Sequence, residues 1–209
     1  MGGEGQRSGR TIAGVLLLSV ATAAAAEATL GALEIELSAP ALERALRLAR
    51  FPASDADRAR FHQQYIFQVA GPTVENFRLE SIEIITEFRR TELIAEEHAR
   101  LNDLFGRSSL TEVRRALEPW RGRVYVAARV NLLNSGVTVG LPPLRVALDD
   151  LDPLGPAQVD NTYFDYALVG GVVAVPFEAR QVGQSTRIAT VMVRRRVLGG
   201  TRVDFRVLD

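Results

Sequence analysis

Alternating apolar and polar side chains predict a mainly β protein: a two-layer antiparallel β-sandwich, Ig-like or similar, with two or three short helices behind an N-terminal signal peptide. Three observations predict it. Period-two alternation runs through "RVYVAARVNL" (123–132), "VVAVPFEAR" (172–180) and "RVDFRVL" (202–208), as strands with one buried face require. Glycine, proline, asparagine and aspartate gather between such stretches, as turns require. No helix of 10–15 residues separates each strand from the next, which argues against a parallel βαβ sheet.

The chain opens with Arg7 and Arg10, then an uncharged run from Ile12 to Ala26 whose centre is Val15-Leu16-Leu17-Leu18, then Ala24-Ala25-Ala26-Glu27. A positive start, a short apolar centre and an A-x-A exit form a secretory signal peptide, placed at 1–26. As a helix, the run would reach about 22 Å, short of the ~30 Å hydrocarbon core, and no basic cluster follows to stop transfer. Export to the periplasm or beyond is therefore expected, with no stable membrane span once the leader is cleaved. The chain has no cysteine, which leaves no acylation site for a lipid anchor, no disulfide and no thiolate metal site.

Residues 27–209 are expected to form one domain. "LEIEL" (33–37) alternates as a short strand. Pro40 opens a helix over 41–50 with Leu42, Ala45, Leu46 and Ala49 on one stripe. "FHQQYIFQV" (61–69) reads as a strand with Phe61, Tyr65, Phe67 and Val69 inward and His62 on the solvent face. "FRLESIEIITEF" (77–88) carries β-branched residues but changes phase near Ser81, which predicts a bulge. Residues 91–104 read as a helix or as the tail of that strand, with helix favoured. Ser109-Leu110-Thr111-Glu112 matches a capping box and opens a helix to 118.

In 123–132 the inward set is Val124, Val126, Ala128, Val130 and Leu132. "LRVALD" (144–149) makes a strand after Pro142-Pro143. In 172–180 Val173, Val175, Phe177 and Ala179 point inward, and Pro176 on the outward set suggests an edge strand. Gly199-Gly200 is expected to turn a hairpin between "RIATVMVRRRV" and "RVDFRVLD", with Val203, Phe205 and Val207 inward. An outer-membrane barrel fits poorly: arginine and glutamate stand on the outward faces, with one tryptophan and four tyrosines for any girdle.

All 25 basic residues are arginine, and cleavage after Ala26 would leave 23 of them against 24 acids. Near-neutral charge lacks the footprint that phosphate neutralisation leaves, so no nucleic acid is expected as partner. Nucleophile elbows, S-x-x-K, H-E-x-x-H, the Walker loop and the dinucleotide fingerprint are missing. Of the two histidines, His98 in "AEEHAR" has no ligand at i±4 and reads as a solvated surface residue.

Residues 149–165 hold five aspartates and no arginine. Asp149, Asp150, Asp152, Asp160 and Asn161 offer hard oxygens of the type Ca²⁺ takes, although Leu154 and Asn161 break the EF-hand pattern. Turn residues in a solvated crossing between sheets would look the same. Arg194-Arg195-Arg196 with Arg202 and Arg206 reads as a mixed-charge strand edge, because alternation would divide the triplet between faces. Trp120 reads as a packing anchor. The function expected is a non-enzymatic exported protein that binds or assembles with another cell-envelope component, without cofactor. The alternatives are an exported hydrolase using Asp149, Asp150, Asp152 or Glu178, and a calcium-dependent binding module at 149–161.

Overall fold

The computed structural model describes residues 33–34, 36–50, 55–101, 105–106, 109–133 and 140–208; the expected leader lies outside them. The described residues form eight strands in two antiparallel sheets, so the chain is mainly β. The larger holds β1 (Ile66–Gln68), β2 (Phe77–Ile85), β3 (Arg123–Leu132), β6 (Ala167–Glu178) and β5 (Gln158–Phe164), in that order across the sheet. The smaller holds β4 (Leu144–Leu148), β7 (Thr186–Val193) and β8 (Arg196–Asp204). Their facing side chains meet in one apolar cluster that includes Ile84, Val126, Val175, Val146, Val191 and Phe205, all buried. The inward set expected of β3 is buried apart from Leu132, which packs against the cluster half-buried.

Two helices behave as their sequences predict. α1 (Ala39–Arg50) buries Leu42, Ala45 and Leu46, and Ser38 Oγ accepts the Ala41 N–H at its start. α4 (Leu110–Leu117) is capped by Ser109, whose Oγ accepts the Thr111 N–H. The return half of the capping box goes elsewhere: Glu112 accepts from the Gly106 N–H. α3 (Glu87–Arg100) settles 91–104 as helical at least to Arg100, and starts earlier because Thr86 Oγ1 accepts the Arg89 N–H as soon as β2 ends. The bulge near Ser81 is present, as a register shift between Leu79 and Ser81 against β3.

Several local expectations are corrected. Residues 61–69 are not one strand: α2 (Asp55–Gln63) ends there, and only Ile66–Gln68 pair with β2. His62 is accordingly on a helix and half-buried, not on a solvent face. The described part of 33–37 forms no strand; Leu33 and Leu37 are buried in two different apolar clusters. The missing strand is replaced by β5, inside the segment read as a crossing loop.

Pro176 does not mark an edge, since β6 is paired on both sides. Its carbonyl accepts from the Leu154 N–H, so residue 176 faces the β5 side, and there β5 has already ended. The strand lacks an N–H where no ladder partner needs one. The glycine pair is not the hairpin turn: Arg194-Arg195 is, with Arg194 at φ 54°, while Gly199 and Gly200 are paired with Val191 and Thr190 within β8. The arginine triplet therefore sits at a hairpin tip rather than being divided between sheet faces. Val207 is 66% exposed because β8 ends at Asp204; Leu208 takes the buried place instead. Residues 179–182 leave the strand as a short helix, α5 (Ala179–Val182), still burying Ala179.

Candidate functional site

A polar network joins α2, β2 and α3. Arg89, fully buried, directs Nε and Nη2 to Glu83 Oε1 at 3.2 and 2.9 Å, and its guanidinium lies over the rings of Tyr65 and Phe61. Its Nη1 is 2.7 Å from His62 Nδ1. A guanidinium can only donate, so Nδ1 accepts and the proton of neutral His62 sits on Nε2. Nε2 lies 3.3 Å from Glu96, which also binds Arg100 at 2.8 Å. With both ring nitrogens engaged by protein, His62 is positioned to hold α2 against α3 rather than to move a substrate's proton. The sequence missed this network because its members lie in three separate segments. His98, the other histidine, stacks on Phe105 with ring centres 4.5 Å apart.

At the start of α3, Glu87 is buried and its Oε2 has no hydrogen-bond partner among the described residues. Burial pushes its carboxyl up to about 7, against the pull of Arg121 and with a further push from Glu36. Glu36 and Arg121 also line a shallow cleft of about 320 Å³ with Arg123, Glu178 and Arg180. Glu178 stands opposite Arg123 in the ladder between β3 and β6. Nearby, Arg90 lies 4.3 Å over the Trp120 ring, which contacts Tyr125 at 4.4 Å. Trp120 thus serves as the packing anchor expected of it, and burial lowers the Arg90 pKa.

The five oxygen donors of the acidic segment occupy different elements. Asp149 closes the β4–β7 end: Oδ1 accepts the Ile188 N–H at 2.9 Å, and Oδ2 is 3.7 Å from Arg187. Asp150 and Asp152 are exposed in the turn and loop that follow. Asp160 is exposed on β5, and Asn161 uses Oδ1 to accept the Leu141 N–H. Among the described residues no group of three or more His, Cys, Asp or Glu is placed to hold a metal ion.

The unusual feature of this segment is apolar. Leu154 (49% exposed), Val159 (52%), Tyr163 (51%), Phe164 (75%) and Tyr166 (99%) are five of the eleven large hydrophobic residues exposed among those described, gathered within 13 positions. Scattered single apolar residues on a surface are ordinary, and a concentration of them in one segment is less so. The turn reinforces this. Asp165 and Tyr166 both have positive φ, 48° and 62°, a geometry that tight hairpins usually give to glycine or asparagine. Here it carries a fully exposed tyrosine instead.

β5 is also the edge of its sheet, and among the described residues it pairs with β6 alone. Pro176 O faces the β5 side, so by alternation Val172, opposite Asp160, does too. Asp160 then points its backbone at β6, and Val159 and Asn161 point theirs outward. No protein-family model, curated protein or solved structure matches the chain.

Proposed function

We propose that this is an exported, non-enzymatic β-sandwich protein that assembles with another cell-envelope component through the β5 edge. One observation carries the reading: the concentration of exposed apolar side chains on β5 and its turn, beside backbone groups that point away from the sheet. Strand addition uses these two features together, main-chain hydrogen bonds for affinity and alternate side chains for specificity. Export is supported by the leader pattern in residues 1–26. No helix among the described residues is long and apolar enough to cross a membrane.

The missing cysteine makes a direct experiment available. A single cysteine at Tyr166 or Val159, carrying a photo-crosslinker, is expected to give a discrete adduct in whole envelopes. The same label at Arg115, exposed on α4, is expected to give none. The exported chain is expected to begin near Glu27 by mass spectrometry. Equal labelling from all three positions, or none from β5, would overturn the docking edge, and a chain retained inside the cell would overturn export.

A further inference from the structure

We infer that α2 is an acid-released latch: a second proton on His62 detaches the helix from Arg89 and uncovers the buried guanidinium with the aromatic rings beside it. α2 is lightly fastened. Its sequence has no apolar stripe, and of the side chains described on it Ala56, Ala59, Arg60 and Gln63 are exposed, while Phe61 and His62 are half-buried. Both half-buried residues meet the same group: Arg89 Cζ lies 5.6 Å from the centre of the Phe61 ring, and Nη1 lies 2.7 Å from His62 Nδ1. A helix of nine residues does not persist in water by itself, so these contacts decide whether α2 stays formed.

The His62–Arg89 bond exists in one protonation state only. At 2.7 Å Nδ1 accepts from Nη1, which needs a nitrogen without a proton. An imidazolium donates from both nitrogens, so its Nδ1–H would point at an N–H of Arg89, with two like charges in contact. Turning the ring over would bring a carbon to Arg89 and take Nε2 away from Glu96, so no orientation keeps both contacts. The surrounding charges agree. Arg89 pairs with Glu83 of β2 and Arg100 with Glu96, two arginines against two glutamates while His62 is neutral. Arg60, on the same helix, is exposed, and Tyr65 is buried with its ring 6.0 Å from that of Phe61. A second proton on His62 therefore adds an unbalanced positive charge beside an arginine that is 2% exposed. Glu96, 3.3 Å from Nε2, keeps hold of the imidazolium, but it stands about two turns along α3 from Arg89. α2 pivots there and carries Phe61 off the guanidinium. Imidazole ordinarily takes its second proton at about pH 6.5, so release falls between neutral and mildly acidic conditions.

The test is hydrogen exchange on the full chain at about pH 7.5 and about pH 5, corrected for the direct effect of pH on exchange, with NMR of the imidazole nitrogens. α2 amides are expected to open about tenfold more often at the lower pH. Protonation of Glu87 acts on global opening in the opposite direction, so the two effects are separable. At about pH 7.5 the ring is expected to carry its proton on Nε2 and none on Nδ1; with two histidines in the chain, the His62→Gln spectrum assigns the signal. The carbonyl of His62→Gln can accept from Arg89 without titrating, and this variant is expected to keep α2 closed at both pH values. Glu96→Gln removes the carboxylate that favours the imidazolium in the closed state and is expected to enlarge the acid response. Equal α2 protection at the two pH values would overturn the inference. So would a proton on Nδ1 of the closed state at the higher pH, an acid response that survives His62→Gln, or one that shrinks in Glu96→Gln.

Discussion

Glu87 holds a proton that an exposed glutamate would lose. Its carboxyl is raised from 4.5 to about 7, chiefly by burial, so between those values the folded chain binds more protons than the unfolded one. The stability that comes from its neutral form is complete below pH 4.5 and disappears as pH rises through about 7. Above that, the folded state must contain a buried carboxylate, a penalty on the order of 3 kcal/mol. Glu87→Gln keeps the shape and removes the charge. Urea midpoints at pH 4 and pH 8 should therefore show the variant level with the wild type in acid and more stable at pH 8. Parallel pH profiles would mean that Glu87 ionises freely.

Nothing in "TEFRRTEL" disclosed this group, because burial of a charged residue depends on what folds over it. Arg89 shows the same limit: a helix surface pattern would put it in water, and Glu83, His62 and two aromatic rings enclose it instead.

Among the elements, the strands read best where one face is buried and the other wet. β6 follows its alternation over 172–175 and the bulge in β2 was visible as a phase change, whereas β3 buries Tyr125 and Ala127 of its outward set along with the inward one. β5 was hidden because both of its faces are exposed, leaving no period to detect, and its Asp, Asn and Gln look like loop. α2 was hidden for the opposite reason, since "DADRARFHQ" has no apolar stripe and runs into residues that do alternate.

Gly199-Gly200 misled because glycine has a second use. The backbone of β8 passes so close to the β1–β2 corner that a Cβ at Gly199 would lie 2.7 Å from Val69 Cγ1 and 3.1 Å from Leu79 Cδ2. One at Gly71 would lie inside the Leu198 carbonyl. These glycines let the two sheets approach, while large residues turn the hairpins. Gly71→Ala meets backbone, which cannot move aside as a side-chain tip can. It should destabilise by about 2 kcal/mol or more. Gly155→Ala, whose Cβ meets nothing within 4 Å, should change the denaturation midpoint little. Equal effects would show that the sheet contact is looser than this packing implies.

At the scale of the whole molecule the described chain has two apolar clusters, not one. The larger lies between the sheets. The smaller joins Leu42 and Leu46 of α1 to Phe88 and Ile94 of α3 and to Val113 and Leu117 of α4. Between them runs a polar seam: the Arg89–Glu83 pair, buried Glu87, and Arg90 stacked on Trp120. Charged contacts restore little of what they cost to bury, so a seam of this kind couples two units less firmly than continuous apolar packing. The helical unit should therefore open before the sheets do.

Hydrogen exchange in low denaturant is expected to find α1 and α4 amides exchanging through an opening smaller than global unfolding, while β3, β6 and β7 exchange only globally. Leu42→Ala, which empties a nearly inaccessible position, should cost the helical unit about 3 kcal/mol. It should lower protection in α1 and α4 while leaving the free energy of β3 exchange unchanged. Equal loss of protection in helices and strands would mean that the seam transmits the damage, and that the two clusters fold as one.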